Sequence, residues 1–305
     1  MPAPWAALGL RYRLACFHFL QLLEKTGLPD RLYITICGWL WMLFGKDTEK
    51  YGEFRRIGKR FSLPLGLATW LKFRRLRGVS IACMLRLHRW ADAAGGRPRL
   101  AVENAELVTP PANAGGRGVL VLTYHHHFNS TFCALLGRYA GKVNVFAADP
   151  RNSPIYQRFK RFAKIMYGGS ESFFRGGRYL YVEQETNMKQ ARAMATAFNS
   201  DALLVSVHDF PAARKPCLAG FFYNPEVCYP TGAIELALAR SMPIVFAFLQ
   251  WQGGDRFKLC FRPCQTNNSV RAVLDSYFAT LTKEFQPQPE YWEYWQSLAT
   301  PEERA

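Results

Sequence analysis

The stretch Gly118-Val119-Leu120-Val121-Leu122-Thr123-Tyr124-His125-His126-His127 decides how this chain is read. Its apolar run is short, contains β-branched residues and follows a loop rich in Gly and Pro, which is the pattern of a strand buried on both faces. Four further runs have the same character: Val143 to Ala148, Ala202 to Val207, Pro243 to Trp251 and Phe257 to Arg262. Helical periodicity marks Ser130 to Arg138, Pro154 to Met166, Asn187 to Asn199 and Gly232 to Arg240. Apolar strands alternating with helices predict an α/β fold, a mostly parallel central sheet flanked by helices. Ligands of such sheets bind beyond the carboxyl ends of the strands. The triple histidine follows one strand and His208-Asp209 follows another, so both are expected at that edge. An imidazole there is suited to moving protons near neutral pH.

Toward the N-terminus the pattern changes across two loop-like segments, Ala94 to Pro98 and Thr109 to Gly116. The expected division is a basic, aromatic helical region over residues 1–95 and an α/β domain over 96–305. Residues 5–24 are apolar and aromatic but carry Arg11, Arg13 and His18. Leu32 to Gly45 is free of charge for fourteen residues, short of the roughly 20 needed to cross a bilayer. Both fit hydrophobic or amphipathic helices lying in a membrane interface. Beyond them, Arg55, Arg56, Lys59, Arg60, Lys72, Arg74, Arg75 and Arg77 alternate with Phe54, Ile57, Phe61, Leu71, Phe73 and Leu76. That spacing lines cations along one side of each helix. A solvated helix face gives the same pattern, but the aromatic N-terminus tips the reading toward membrane contact.

The chain has 305 residues and a formal net charge of +16, and its first 90 residues hold sixteen Lys plus Arg against five Asp plus Glu. Such a field attracts anionic head groups, nucleic acid or an acidic carrier protein. Aromatic residues make up 15% of the chain, with eight Trp, which suits a membrane interface. No zinc spacing or basic heptad points to nucleic acid. The eight cysteines are scattered through apolar runs and are read as reduced, which would face the protein to the cytoplasm. Met1-Pro2-Ala3-Pro4 lacks a basic leader, so no cleavable export signal is expected.

Residues 119–132, VLVLTYHHHFNSTF, resemble the first motif of the lipid A late acyltransferases, a branch of the lysophospholipid acyltransferase superfamily. In that motif a strand ends in His-Phe and an acid stands five positions after the histidine, a register that selects His127. The resemblance runs on through Asp209, a basic loop with Arg214 and Lys215, Gly220-Phe221-Phe222, and Thr231-Gly232-Ala233 opening a helix. It ends at Glu284 and Pro289-Glu290-Tyr291-Trp292-Glu293-Tyr294-Trp295. The chain departs from the family at the acid: five positions on from His125, His126 and His127 stand Ser130, Thr131 and Phe132. A carboxylate from Asp209, Asp149 or Glu183 would then substitute, or the histidine would work without one, or the fold is a non-catalytic membrane or lipid-binding adaptor.

The resemblance implies acyl transfer from a thioester, on acyl carrier protein or coenzyme A, to a hydroxyl of a lipid A-like or other glycolipid. It implies a peripheral or monotopic place on the cytoplasmic face of a bacterial inner membrane. His127 is the expected general base, with Asp209 as the replacement acid and Arg192 as electrostatic support. His125, His126, Asn129, Arg151 and Asn152 are expected at the substrate. For His125 and His126 a structural role is the leading reading, and a metal site built from the run with His208 and Asp209 is the weaker one. No Gly-rich dinucleotide or phosphate loop occurs, so no cofactor is implied. Gly168-Gly169-Ser170-Glu171-Ser172 is not a hydrolase elbow, since it ends in serine and follows no clear strand.

Overall fold

Val119–Thr123 forms the centre of the sheet because every one of its side chains is buried, and it pairs on both sides with other apolar strands. The computed structural model describes residues 4–45, 51–91, 98–108, 118–148, 168–182, 188–209, 217–219, 227–264 and 269–293. Four helices lead: α1 (Pro4–Glu24), α2 (Asp30–Phe44), α3 (Tyr51–Arg60) and α4 (Leu67–Ala91). There follow β1 (Arg99–Glu103), β2 (Val119–Thr123), α5 (Asn129–Ala140), β3 (Val143–Ala148), β4 (Tyr179–Val182), α6 (Met188–Phe198) and β5 (Leu203–Val207). A short antiparallel pair, β6 (Cys217–Leu218) and β7 (Tyr229–Pro230), precedes α7 (Gly232–Ala239), β8 (Ile244–Trp251), β9 (Arg256–Pro263) and α8 (Val270–Phe285).

The seven-stranded sheet has the order β1-β9-β8-β2-β5-β3-β4. All neighbours are parallel except β8 and β9, which form a hairpin. The link between them is too short for a crossover, and Gly253 and Gly254 supply its positive φ angles of 97° and 56°. The five strands read from the sequence are all present. The edge strands β1 and β4 and the helix α8 are additions. The expected helix over 154–166 lies outside the described residues.

Successive residues of β2 enter opposite layers, as the two-residue period requires. Val119 and Val121 pack with α1, α2, α4 and α5, while Leu120 and Leu122 pack with α3, α6, α7 and α8. The result is a sheet covered on both faces. The N-terminal helices share these cores, so the boundary near residue 95 is one of charge and not of packing. Helices α2 and α4 meet where Gly38 and Gly78 face each other, and a Cβ on Gly78 would lie 2.4 Å from the Trp41 Cβ. None of the described helices is long and apolar enough to cross a membrane. All eight cysteines are free thiols.

Candidate functional site

The register of β2 and β5 builds the site. Thr123 stands opposite Val207, and two residues beyond each lie His125 and Asp209, so these two side chains leave neighbouring strands at the carboxyl edge in step. The His208 amide donates to the Thr123 carbonyl at 2.9 Å, continuing the ladder past the last strand residue. Asp209 Oδ1 accepts from the His125 backbone N–H at 2.9 Å and lies 2.7 Å from His125 Nδ1. Trp292 donates its indole N–H to Oδ2 at 2.5 Å.

The Asp209 side chain is 0% exposed and that of His125 is 22% exposed. Burial alone would raise the Asp209 carboxyl, but the His125 charge and the hydrogen bonds from His125 and Trp292 outweigh it and hold the group below its ordinary range. An ionised carboxylate is acceptor only, so His125 Nδ1 carries a proton toward it, and Nε2 is the ring nitrogen left to exchange one. This is the base-and-orienter arrangement of nucleophile-activating dyads.

After His125 the chain turns. The His126 amide donates to the Tyr124 carbonyl at 3.0 Å and Asn129 donates to His126 at 3.2 Å as α5 begins. His126 is wholly buried and its Nδ1 accepts the Phe128 N–H at 3.1 Å. Burial pushes its ring down to about 3. His127 is swung beneath α4, where it is 6% exposed, meets the Phe73 ring edge-on at 4.6 Å, and accepts at its carbonyl from the Ser80 hydroxyl. Neither His127 ring nitrogen makes a well-formed hydrogen bond with a described residue, and the Glu290 backbone is the polar group that the ring approaches. Burial, then the Arg77 charge, push this ring well below its ordinary 6.5, against a smaller upward pull from the Glu290 backbone.

The general-base role expected of His127 therefore meets the wrong geometry. The carboxylate contact is made by His125, and the His127 ring is buried in packing against Phe73. Of the other two histidines, His125 is the one that reaches both the carboxylate and solvent, while the His126 ring is buried and hydrogen-bonded within the turn. His208 is also tied down: its Nε2–H donates to the Pro230 carbonyl at 2.7 Å and its Nδ1 accepts from the Ser206 hydroxyl at 3.0 Å.

Asn129 opens α5 beside the turn, and its Oδ1 is buried with no hydrogen-bond partner among the described residues. Arg192 is exposed on α6, and no described hydrogen bond or ion pair ties its guanidinium to His125 or Asp209. Arg151 and Asn152 lie outside the described residues, as do Asp149, Glu183, Arg214 and Lys215. Trp292 was legible only as part of a C-terminal motif. Nothing in its sequence neighbourhood signals that its N–H reaches a carboxylate 83 positions earlier. Comparison with protein-family models and with curated proteins returns no match.

Proposed function

We propose that the protein is an acyltransferase that moves a fatty acyl group from a carrier thioester to a lipid hydroxyl, with His125 rather than His127 as general base. One observation carries the reading: a partly exposed imidazole is held by a wholly buried carboxylate at the carboxyl edge of a parallel sheet. In the reaction His125 Nε2 takes the acceptor hydroxyl proton as the oxygen attacks the thioester carbonyl. The tetrahedral oxyanion then collapses, the C–S bond breaks, and the departing thiolate takes the proton back from the imidazolium. Asp209 holds the ring and balances the charge that forms on it. Acyl carrier protein is the favoured donor over coenzyme A, since an acidic carrier is steered by a +16 surface. A lipid A-like glycolipid is the favoured acceptor.

Attachment to the cytoplasmic face of a bacterial inner membrane is part of the same proposal. On α1, Tyr12, Phe19 and Leu22 are exposed at one-face spacing, and on α2 so are Leu32, Trp39 and Leu43. The two helices run side by side, with the Tyr12 hydroxyl donating to the Phe44 carbonyl at 2.7 Å and the Tyr33 hydroxyl to Leu20 at 3.1 Å. The two stripes thus adjoin, and Arg75 lies 4.5 Å over the Trp39 ring beside them. Apolar residues flanked by cations match an anionic lipid interface.

The test is transfer of labelled acyl groups from acyl carrier protein to a panel of lipid acceptors by purified protein in detergent. Transfer abolished in His125→Ala supports the enzyme. No turnover with any acceptor, with vesicle binding retained, supports a membrane adaptor instead. Sedimentation with anionic vesicles should be lost in Trp39→Ser/Leu43→Glu.

A further inference from the structure

We propose that Trp292 is a positioning residue for the dyad: its indole N–H, donated to Asp209 Oδ2, fixes the carboxylate rotamer so that Oδ1 faces His125 Nδ1. This rests on reading His125 and Asp209 as the proton-transfer pair. An aspartate carboxylate rotates in a broad, nearly two-fold well, so two donors on Oδ1 do not by themselves set its plane. A third donor on the other oxygen does.

The segment that carries Trp292 is itself pinned to the histidine run. His127 N–H donates to the Tyr291 carbonyl at 3.3 Å, and Glu293 N–H donates to the His125 carbonyl at 2.9 Å, bracketing a bridge between His126 and Trp292. From α4, Lys72 pairs with Glu290 at 3.7 Å and Arg77 with Glu293 at 3.3 Å. The indole is 1% exposed and packs against Phe285 at 5.8 Å between ring centres. A residue serving only as filler would need no N–H, whereas this one aims it at a carboxylate that water does not reach. The other groups facing Asp209 are the Tyr124, Tyr229 and Tyr277 hydroxyls and the buried His126 and His208. Burial keeps the tyrosines protonated and the two histidines neutral.

The experiment compares the wild-type chain with Trp292→Phe, and with benzothienylalanine at position 292, which keeps the indole shape and lacks only the N–H. In both, kcat should fall roughly tenfold to a hundredfold with KM nearly unchanged, the scale of a misplaced catalytic group. The acid limb of kcat/KM should move to higher pH, because the carboxylate loses a donor and becomes more basic. Asp209→Asn should move that limb the other way, and Trp292→Phe added to Asp209→Asn should cost nothing further. Without any substrate, the low-field Nδ1 proton resonance of His125 should move or broaden in both variants. A wild-type rate profile and an unmoved resonance in the benzothienylalanine protein would overturn the proposal. If the wild type turns over no acceptor, the acyltransferase reading fails while the resonance still decides the role of Trp292.

Discussion

Arg86 and Asp209 are both wholly buried ionic side chains, and the molecule treats them differently. Arg86 lies in the helical layer among Glu24 at 3.7 Å, Asp30 at 3.5 Å, the Leu28 carbonyl at 3.0 Å and the Tyr33 ring at 4.3 Å. Trp90 completes the cluster by donating to Asp30 at 2.7 Å. Those partners tie α1, α2 and α4 together, and Glu24 carries the cluster on to the surface through Arg89 at 3.0 Å and His88 at 3.9 Å. Around Asp209 the partners are just as close, but one of them is an imidazole that reaches solvent. Burying a charge costs desolvation in both places, and close polar partners offset that cost. Only the second holds its charge in a direct hydrogen bond with a partly exposed imidazole at the carboxyl edge of the sheet.

The sharpest way to break this contrast is Asp209→Asn. It preserves shape while reversing which His125 tautomer is favoured, and the transfer rate should fall about 10³- to 10⁴-fold, as loss of an orienting carboxylate does elsewhere. Single-turnover acyl transfer reads it. Arg86→Met should act on the other side of the comparison, leaving Asp30 without its cation and Glu24 with Arg89 and His88 alone. Stability to denaturant should drop by about 3–5 kcal/mol, with the rate per folded molecule unchanged.

Acid separates the two regions next. His126, His127 and His208 are neutral in the fold, with His126 at about 3 and His208 at about 4 against an ordinary 6.5. Below pH 6.5 the unfolded chain binds more protons than the folded one, so stability falls with pH and levels off near these lowered values. Three such rings cost about 2 kcal/mol between pH 7.5 and 6, measurable in denaturant melts. Asp209 adds its own loss only at lower pH, below its ordinary 3.8, because its carboxyl is depressed. The smallest effect is expected for Lys72→Ala. Its side chain is 66% exposed in the pair with Glu290, so the change should be under about 1 kcal/mol, with little effect on transfer.

Much of this frame was written in hydrophobic pattern, and the omissions have identifiable causes. β2, β3, β5, β8 and β9 are apolar runs and were all legible. β1, Arg99 to Glu103, is half-exposed at the sheet edge and begins and ends in charge, so it has no such run. α8 did carry a readable signal: Ser269 caps it by accepting from the Ala272 amide at 3.2 Å, and Val270, Val273, Leu274, Tyr277 and Leu281 repeat at helical spacing. At the site, both His125 and Asp209 were named, but they were not paired with each other. Counting five from the last histidine follows a linear motif, whereas the carboxylate comes from the next strand of the sheet. The turn at His126 then breaks the alternation that would have kept His127 beside His125.

The account stands on His125 being the ring that handles the proton. His125→Ala and His127→Ala should be assayed side by side for acyl transfer from acyl carrier protein, with rates corrected for folded protein. The expected result is a loss of roughly 10²- to 10⁴-fold for His125→Ala, and a rate within about tenfold of wild type for His127→Ala, whose ring the packing already conceals. A full rate in His125→Ala, with transfer abolished in folded His127→Ala, would contradict it.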